Sequence, residues 1–407
     1  MKKIKIAFIK YGGLTSGGSE KLLQIIAANL PKDLFDVDYF YCDPTEYVGA
    51  QAPDIKTDSH RIEYMKKHGV NLVRFIVSAK DVTTPYHTWL GTNFWEVFDQ
   101  KKYDVIQTCR AGHKEYPFCN IKNIPIVDII ALSSGADNQY NIARVVHLSK
   151  WSADGWVKRG GDEYRITFGS LPIAIGKERE EVKDIRGEYK LEGKFIFGMH
   201  QRSNNDIFSD IPLAAYKQIE NENTMFILLG GGNLYKDQAK KLSIKNILFL
   251  ESTGDSEKVF SFLKTLNVYS HGRADGEINS QAIAEALFFG LPVVSHYSKQ
   301  NNGHVEGIGD AGRVVSGIEE YAKELSRLMR NAEYYKLKSN NAIRNFNENY
   351  ELSRQIEKYT QMYRDVVANP YPNKIPRLLS SLHYTQNLRV LAVFVYLKFK
   401  YYFLNKR

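Results

Sequence analysis

The stretch HGRADGEINSQAIAEALFFGLPVV, His271 to Val294, decides the fold. It opens as a polar loop and changes at Asn279–Ser280 into a run with helical spacing, Gln281–Phe289. Gly290 and Pro292 then stop that helix, and Val293–Val294 begin a strand. Two carboxylates bracket the turn: Glu277 in the loop, and Glu285 more than one turn into the helix. The helix start presents free backbone N–H groups and the positive end of the helix dipole, which together make an anion site. Glu285 is flanked by Ala282, Ile283, Ala284, Ala286 and Leu287, a costly setting for an unpaired charge. A buried, hydroxyl-rich ligand is therefore the expected partner of Glu285.

Outward from this stretch the same alternation recurs. In the second half, Lys194–Gly198, Thr224–Leu229 with the Gly230–Gly232 turn, Ile247–Leu250, Val268–Ser270 and Pro292–Ser295 read as short strands between helical runs. In the first half, Ile4–Ile9 is a strand and Tyr11–Ser19 a glycine-rich loop, followed by the helical spacing of Glu20–Leu30. Phe35–Tyr41, Val70–Ile76, Asp104–Cys109, Ile124–Ile130 and Arg144–Leu148 continue as apolar runs of the kind buried parallel strands show. Repeated strand–helix units predict an α/β chain built from two doubly wound, Rossmann-like domains. The boundaries expected are 1–175, a polar linker at 176–193, a second domain at 194–345, a closing helix at 346–369 and a tail at 370–407. Two such domains face each other with the carboxyl ends of their strands across one cleft.

The 407 residues, 43% hydrophobic, are enough for two cores. Three scattered cysteines, Cys42, Cys109 and Cys119, make neither a disulfide framework nor a metal site, and fit a reducing compartment. The start, MKKIKIAFIK, lacks the apolar length and cleavage site of a signal peptide, and no apolar run is long enough to cross a bilayer. The net charge of +9 is concentrated after Asp365, where seven basic residues (Lys374, Arg377, Arg389, Lys398, Lys400, Lys406, Arg407) meet no acid. The remainder is close to neutral, which argues against a nucleic-acid surface. Within 378–407, LAVFVYL is flanked by basic and aromatic residues, the pattern of a helix lying on an anionic membrane surface. A cytoplasmic protein held peripherally on the inner face of the membrane is expected.

The run Glu277-Ile-Asn-Ser-Gln-Ala-Ile-Ala-Glu285, with Ala286-Leu287-x-x-Gly290-Leu291-Pro292-Val293-Val294 after it, resembles the E-x7-E signature of the nucleotide-sugar glycosyltransferases of family four. Gly17-Gly18-Ser19-Glu20 resembles their Gly-Gly loop after the first strand, and Val145–Trp151 the end of their first domain. Glu351–Val367 resembles their closing helix, which returns to the N-terminal domain. The resemblance implies the GT-B fold and a hexosyl transfer from a nucleoside-diphosphate sugar with retention at the anomeric carbon. It implies that Glu285 accepts the ribose hydroxyls and that Glu277 holds the transferred sugar at the reacting carbon. Backbone N–H groups at Asn279 and Ser280 then take the diphosphate.

Two departures stand out. The family's Gly-Phe-Gly after the first glutamate is Ile278-Asn279-Ser280 here, and the lysine of its phosphate clamp falls on Ile207. Arg202 remains as the fork for the leaving diphosphate; either it and the helix dipole suffice, or His200 or another base contributes. His271 and Arg273 border the Glu277 loop. Gly17 and Gly18 either admit a ligand or simply form a tight turn. His113 and Asp137 follow first-domain strands and are candidates for acceptor binding, the acceptor being a saccharide or lipid-linked saccharide such as a growing surface polysaccharide. No Asp-x-Asp pair or His/Asp cluster has metal-ligand spacing, so no cofactor and no metal are expected. The alternatives are a nucleotide-sugar epimerase on the same fold and a degenerate, non-catalytic saccharide-binding module. A phosphorylase would need a pyridoxal lysine site, for which the sequence offers no support.

Overall fold

The computed structural model describes residues 2–10, 14–15, 17–43, 57–76, 92–115, 117–132, 135–174 and 178–370. The first half runs β1 (Ile4–Lys10), α1 (Gly18–Asn29), β2 (Phe35–Asp43), α2 (Ser59–Lys67), β3 (Asn71–Ile76), α3 (Phe94–Val97), β4 (Val105–Arg110), β5 (Ile126–Ile130), β6 (Ile142–His147), α4 (Lys150–Lys158) and β7 (Ile166–Phe168). Among the described residues these strands form one sheet in the order β3-β2-β1-β4-β5-β6-β7. Every recorded pairing in it is parallel. Every residue of β4 and β5 is buried, as expected of central strands covered on both faces.

The second half runs β8 (Phe195–Gln201), α5 (Ile211–Ile219), β9 (Thr224–Gly230), α6 (Asn233–Lys241), β10 (Ile247–Leu250), α7 (Ser256–Thr265), β11 (Val268–Ser270), β12 (Gly276–Glu277), α8 (Gln281–Phe288), β13 (Val293–His296), β14 (Asn301–Asn302), α9 (His304–Ile308) and β15 (Gly312–Val315). Its parallel sheet has the order β10-β9-β8-β11-β13-β15, with β12 and β14 paired separately. Three helices close the described chain: α10 (Ile318–Arg330), α11 (Ala332–Asn349) and α12 (Leu352–Ala368). Gly290 ends α8 with φ of 69°, a left-handed turn that a β-carbon would strain.

The two strand orders locate the ligand sites. In the first sheet the chain proceeds outward on one side from β1 and on the other from β4. In the second the reversal falls between β8 and β11. Open α/β sheets bind ligands beyond the carboxyl ends of the strands at such a reversal. For the second sheet those ends are His200–Arg202 and His271–Arg273. The doubly wound α/β architecture expected from the sequence is the one observed.

α12 returns to the first sheet. Tyr363 on it donates a 2.6 Å hydrogen bond to the Gln107 side chain of β4, and its ring meets Phe8 and Phe35 edge-on. Residues 178–193 are not a free tether: Val182, Ile185 and Leu191 are buried, and the Ile185 N–H donates to the Thr265 hydroxyl. Gly12, Gly13 and the basic segment 378–407 lie outside the described residues. Among the described residues no helix is long and apolar enough to cross a membrane.

Candidate functional site

A cleft of about 380 Å³ opens where the second sheet's switch point predicts one. Its floor and one wall come from His200, Arg202, His271, Arg273, Glu277 and the start of α8. Ser252, Thr253 and Gly254, after β10, form a second wall. The opposite rim is Gly18 and Lys21 of α1, from the other half of the chain.

Glu285 projects into this cleft from α8 with only 5% of its surface exposed. Burial alone would raise its pKa. Lys21, the His200 ring and Gln281 outweigh that and hold the carboxyl ionised, down at about 2. Gln281 Nε2 donates to Oε1 at 2.9 Å, Lys21 Nζ stands 3.6 Å from the same oxygen, and His200 Nε2 lies 3.4 Å from Oε2. The sequence-based expectation that a hydroxyl-rich ligand must be what satisfies this charge is corrected here: three protein groups already do so. No sequence pattern marks Lys21, which lies one residue past the Gly-Gly-Ser-Glu motif and reaches the acid only through the folded chain.

Glu277 sits in β12, paired with Asn302 of β14, and a β-carbon at the preceding Gly276 would collide with the Asn301 carbonyl. Its Oε1 accepts from Arg273 Nη1 at 3.1 Å and from the Ser280 hydroxyl at 3.4 Å. Arg273 also grips Asp275 through Nε and Nη2, at 2.9 and 2.6 Å. Burial opposes the guanidinium's charge, but these two acids raise its pKa. His271 is 3% exposed; its Nδ1 meets the Ser295 hydroxyl at 2.8 Å, while its buried Nε2 has no hydrogen-bond partner among the described residues. That nitrogen lies 4.0 Å from Glu277 Oε1. A buried unpaired nitrogen costs on the order of 1–3 kcal/mol, so the cleft keeps a polar contact beside Glu277 in reserve.

The residues expected to bind an anion also gather here. Ser280 is the N-cap of α8, its hydroxyl accepting from the Ile283 N–H. Gln281 and Ala282, whose N–H groups have no acceptor within the helix, line the cleft. The Asn279 side chain is engaged elsewhere, donating across the halves to the Leu148 carbonyl at 2.8 Å. Arg202 is exposed on the cleft wall, and no side-chain partner is recorded for it among the described residues. Ile207, by contrast, is buried.

Gly17 has φ of −59°, an ordinary value for any residue, and a β-carbon there would meet only the movable Glu20 carboxylate at 2.5 Å. A β-carbon on Gly18 would meet nothing within 4 Å. A tight turn therefore does not account for Gly18, which lines the cleft.

The first-domain candidates separate. Asp137 is 4% exposed and turned inward, bound to Arg110 Nη1 at 3.1 Å, so it is not presented to an acceptor. Arg110 also pairs with Asp128 at 2.9 Å, and burial outweighs that cation in pushing Asp128 up to about 6. His113 is part-exposed, its Nε2 3.7 Å from Glu115, and its pKa is lowered by burial and by Arg110. It is not among the residues lining the main cleft. Among the described residues no group of three or more His, Cys, Asp or Glu could hold a metal ion.

No protein-family model matches the sequence, and no curated protein matches it. Solved structures do. The chain is similar to HepE from Anabaena in complex with UDP and glucose, with a TM-score of 0.64 at 15% identity, over 89% of this chain and 100% of that one. It is similar to a glycosyltransferase from Rickettsia africae, with a TM-score of 0.68 at 13% identity, over 91% and 100%. It is also similar to WaaG, a glycosyltransferase involved in lipopolysaccharide biosynthesis, with a TM-score of 0.60 at 13% identity, over 89% and 100%. At these identities the likeness is one of fold: two parallel-sheet, Rossmann-like domains in the GT-B arrangement.

Proposed function

We propose that the chain is a glycosyltransferase that moves a hexosyl group from a nucleoside-diphosphate sugar to a saccharide or lipid-linked acceptor, with retention of anomeric configuration. The observation that carries this reading is Glu285: a buried, ionised carboxylate at the switch point of the second sheet, one turn behind an open helix start. A carboxylate so placed accepts the two hydroxyls of a ribose, while the α8 N–H groups and Arg202 take the diphosphate. The neighbours named above share the fold, and the HepE complexes hold UDP and glucose or UDP-glucose, which suits the same donor class.

In this reading the bond between the anomeric carbon and the phosphate oxygen breaks with its electron pair going to the diphosphate. The acceptor hydroxyl attacks on the same face and gives its proton to the departing phosphate oxygen. Glu277 holds the sugar's hydroxyls and faces the positive charge that develops on the ring, and His271 Nε2 supplies a further contact. The work of catalysis is preorganised charge stabilisation rather than a covalent nucleophile. The reaction is proposed to run without metal or cofactor. His113 is kept as an acceptor contact on the first domain, and the basic, aromatic segment 378–407 as the part that meets an anionic membrane carrying the acceptor.

The test is donor turnover. The full chain is incubated with individual nucleoside-diphosphate sugars, with and without membrane lipid extract, while release of nucleoside diphosphate is followed. Acceptor-dependent release supports transfer, and an altered sugar nucleotide from donor alone supports an epimerase instead. Normal turnover in both Glu277→Ala and Glu285→Ala would sink the site assignment.

A further inference from the structure

Lys21 joins the two halves of the cleft. It stands in the first turns of α1, and its ammonium lies 3.6 Å from Glu285 Oε1 on α8. Its side chain keeps 21% of its surface exposed, so it has room to turn, whereas Glu285 does not. If the Glu285 carboxylate receives ribose hydroxyls, those neutral donors replace a cation as its partners, and the ammonium is released beside the incoming ligand.

The charges lining the cleft say where it goes. Of the three cations there, Arg273 is committed to Asp275 and Glu277, and Arg202 alone lacks a recorded side-chain partner among the described residues. A sugar diphosphate brings two negative charges. The start of α1 adds free N–H groups at Gly18, where a β-carbon's space stands open, and Lys21 rises from the same turn. One guanidinium opposite one ammonium then balances the diphosphate. The position where the sequence resemblance implies a lysine is the buried, apolar Ile207.

Resting on the donor reading above, we propose that Lys21 exchanges partners: without donor it neutralises Glu285, and with donor it moves to the diphosphate. It is thus a donor-binding residue supplied by the domain opposite the nucleotide. Binding of the nucleoside and neutralisation of its phosphates become coupled.

The test compares ligands with and without phosphate on the full chain. Calorimetry measures uridine, guanosine, adenosine and their diphosphates against wild type, Lys21→Met and Lys21→Arg, with ligand-free melting temperatures as the folding control. For the preferred base, Lys21→Met weakens the diphosphate roughly ten- to hundred-fold and leaves the nucleoside unchanged or tighter, while Lys21→Arg retains diphosphate binding. Equal loss for nucleoside and diphosphate, or unchanged or tighter diphosphate binding in Lys21→Met, overturns the exchange while leaving the donor site standing. A wild type that binds none of the six ligands overturns the donor site itself, and the exchange with it.

Discussion

Replacing Glu285 by glutamine keeps the shape of the side chain and removes its charge, so its effects on stability and on binding can be separated. A carboxyl held at about 2 rather than 4.5 makes the ionised form worth about 3 kcal/mol to the folded chain at neutral pH. The folded pKa is depressed, so this contribution is complete above about 4.5 and fades as pH falls toward 2. Glutamine escapes the burial penalty of a charge, and the part-exposed Lys21 can turn to water. The loss in Glu285→Gln is therefore smaller than that figure, about 1–2 kcal/mol. It should shrink further when urea unfolding is repeated at pH 4. The functional loss is larger. Two hydroxyls donating to a carboxylate contribute about 1.5–3 kcal/mol each, and an amide retains one acceptor, so kcat/KM for the sugar nucleotide should fall roughly 30- to 1,000-fold. Release of nucleoside diphosphate, measured under subsaturating donor, reads it. A folded Glu285→Gln protein with wild-type kcat/KM would show that no ribose sits on this carboxylate.

Other consequences are equally direct. Gly18→Ala should leave the melting temperature nearly unchanged, since the added β-carbon meets open space, yet raise the donor KM by roughly tenfold because it occupies the ligand's approach; unchanged KM would refute close approach there. Arg202→Gln should be neutral for stability, weaken nucleoside diphosphates about tenfold and flatten the salt dependence of their binding, as titrations at two ionic strengths would show. Burial, with Arg159 in one case and His271 in the other, holds His147 and His304 down at about 4. These depressed folded values mean that stability is full above about 6.5 and falls as pH drops toward 4, each histidine contributing a slope of up to about 1.4 kcal/mol per pH unit. Urea unfolding at pH 7 and pH 5 measures it, and His304→Gln should lose part of that slope.

The fold was legible wherever a local pattern carries it. Apolar runs such as Asp104–Cys109 and Ile124–Ile130 correspond to β4 and β5, and Gly290 ends α8 as its position implies. The second half of the site was legible too, because Glu277, Ser280 and Glu285 lie within one turn-and-helix unit. What stayed hidden depends on distant chain segments. Lys21 reaches Glu285 across 264 positions of sequence, Asn279 holds the Leu148 carbonyl, and Glu306 caps the start of α4 through the Lys150 and Trp151 N–H groups. No periodicity encodes such pairs. Asp137 misled for the same reason: a loop aspartate after a strand looks available until Arg110, from another strand, is seen to hold it.

The central claim is that this cleft binds a nucleoside-diphosphate sugar, and a thermal-shift screen of the full chain against a panel of sugar nucleotides and free nucleotides tests it most directly. A ligand that binds only the folded state adds about 2.7 kcal/mol of stability at a hundredfold excess over Kd, which is roughly a 5–10 °C rise for a domain of this size. The expected result is a rise of that order for one base, larger for one sugar attached to it, and reduced in Glu285→Gln. A flat response to every sugar nucleotide, or an equal rise in wild type and Glu285→Gln, would contradict it.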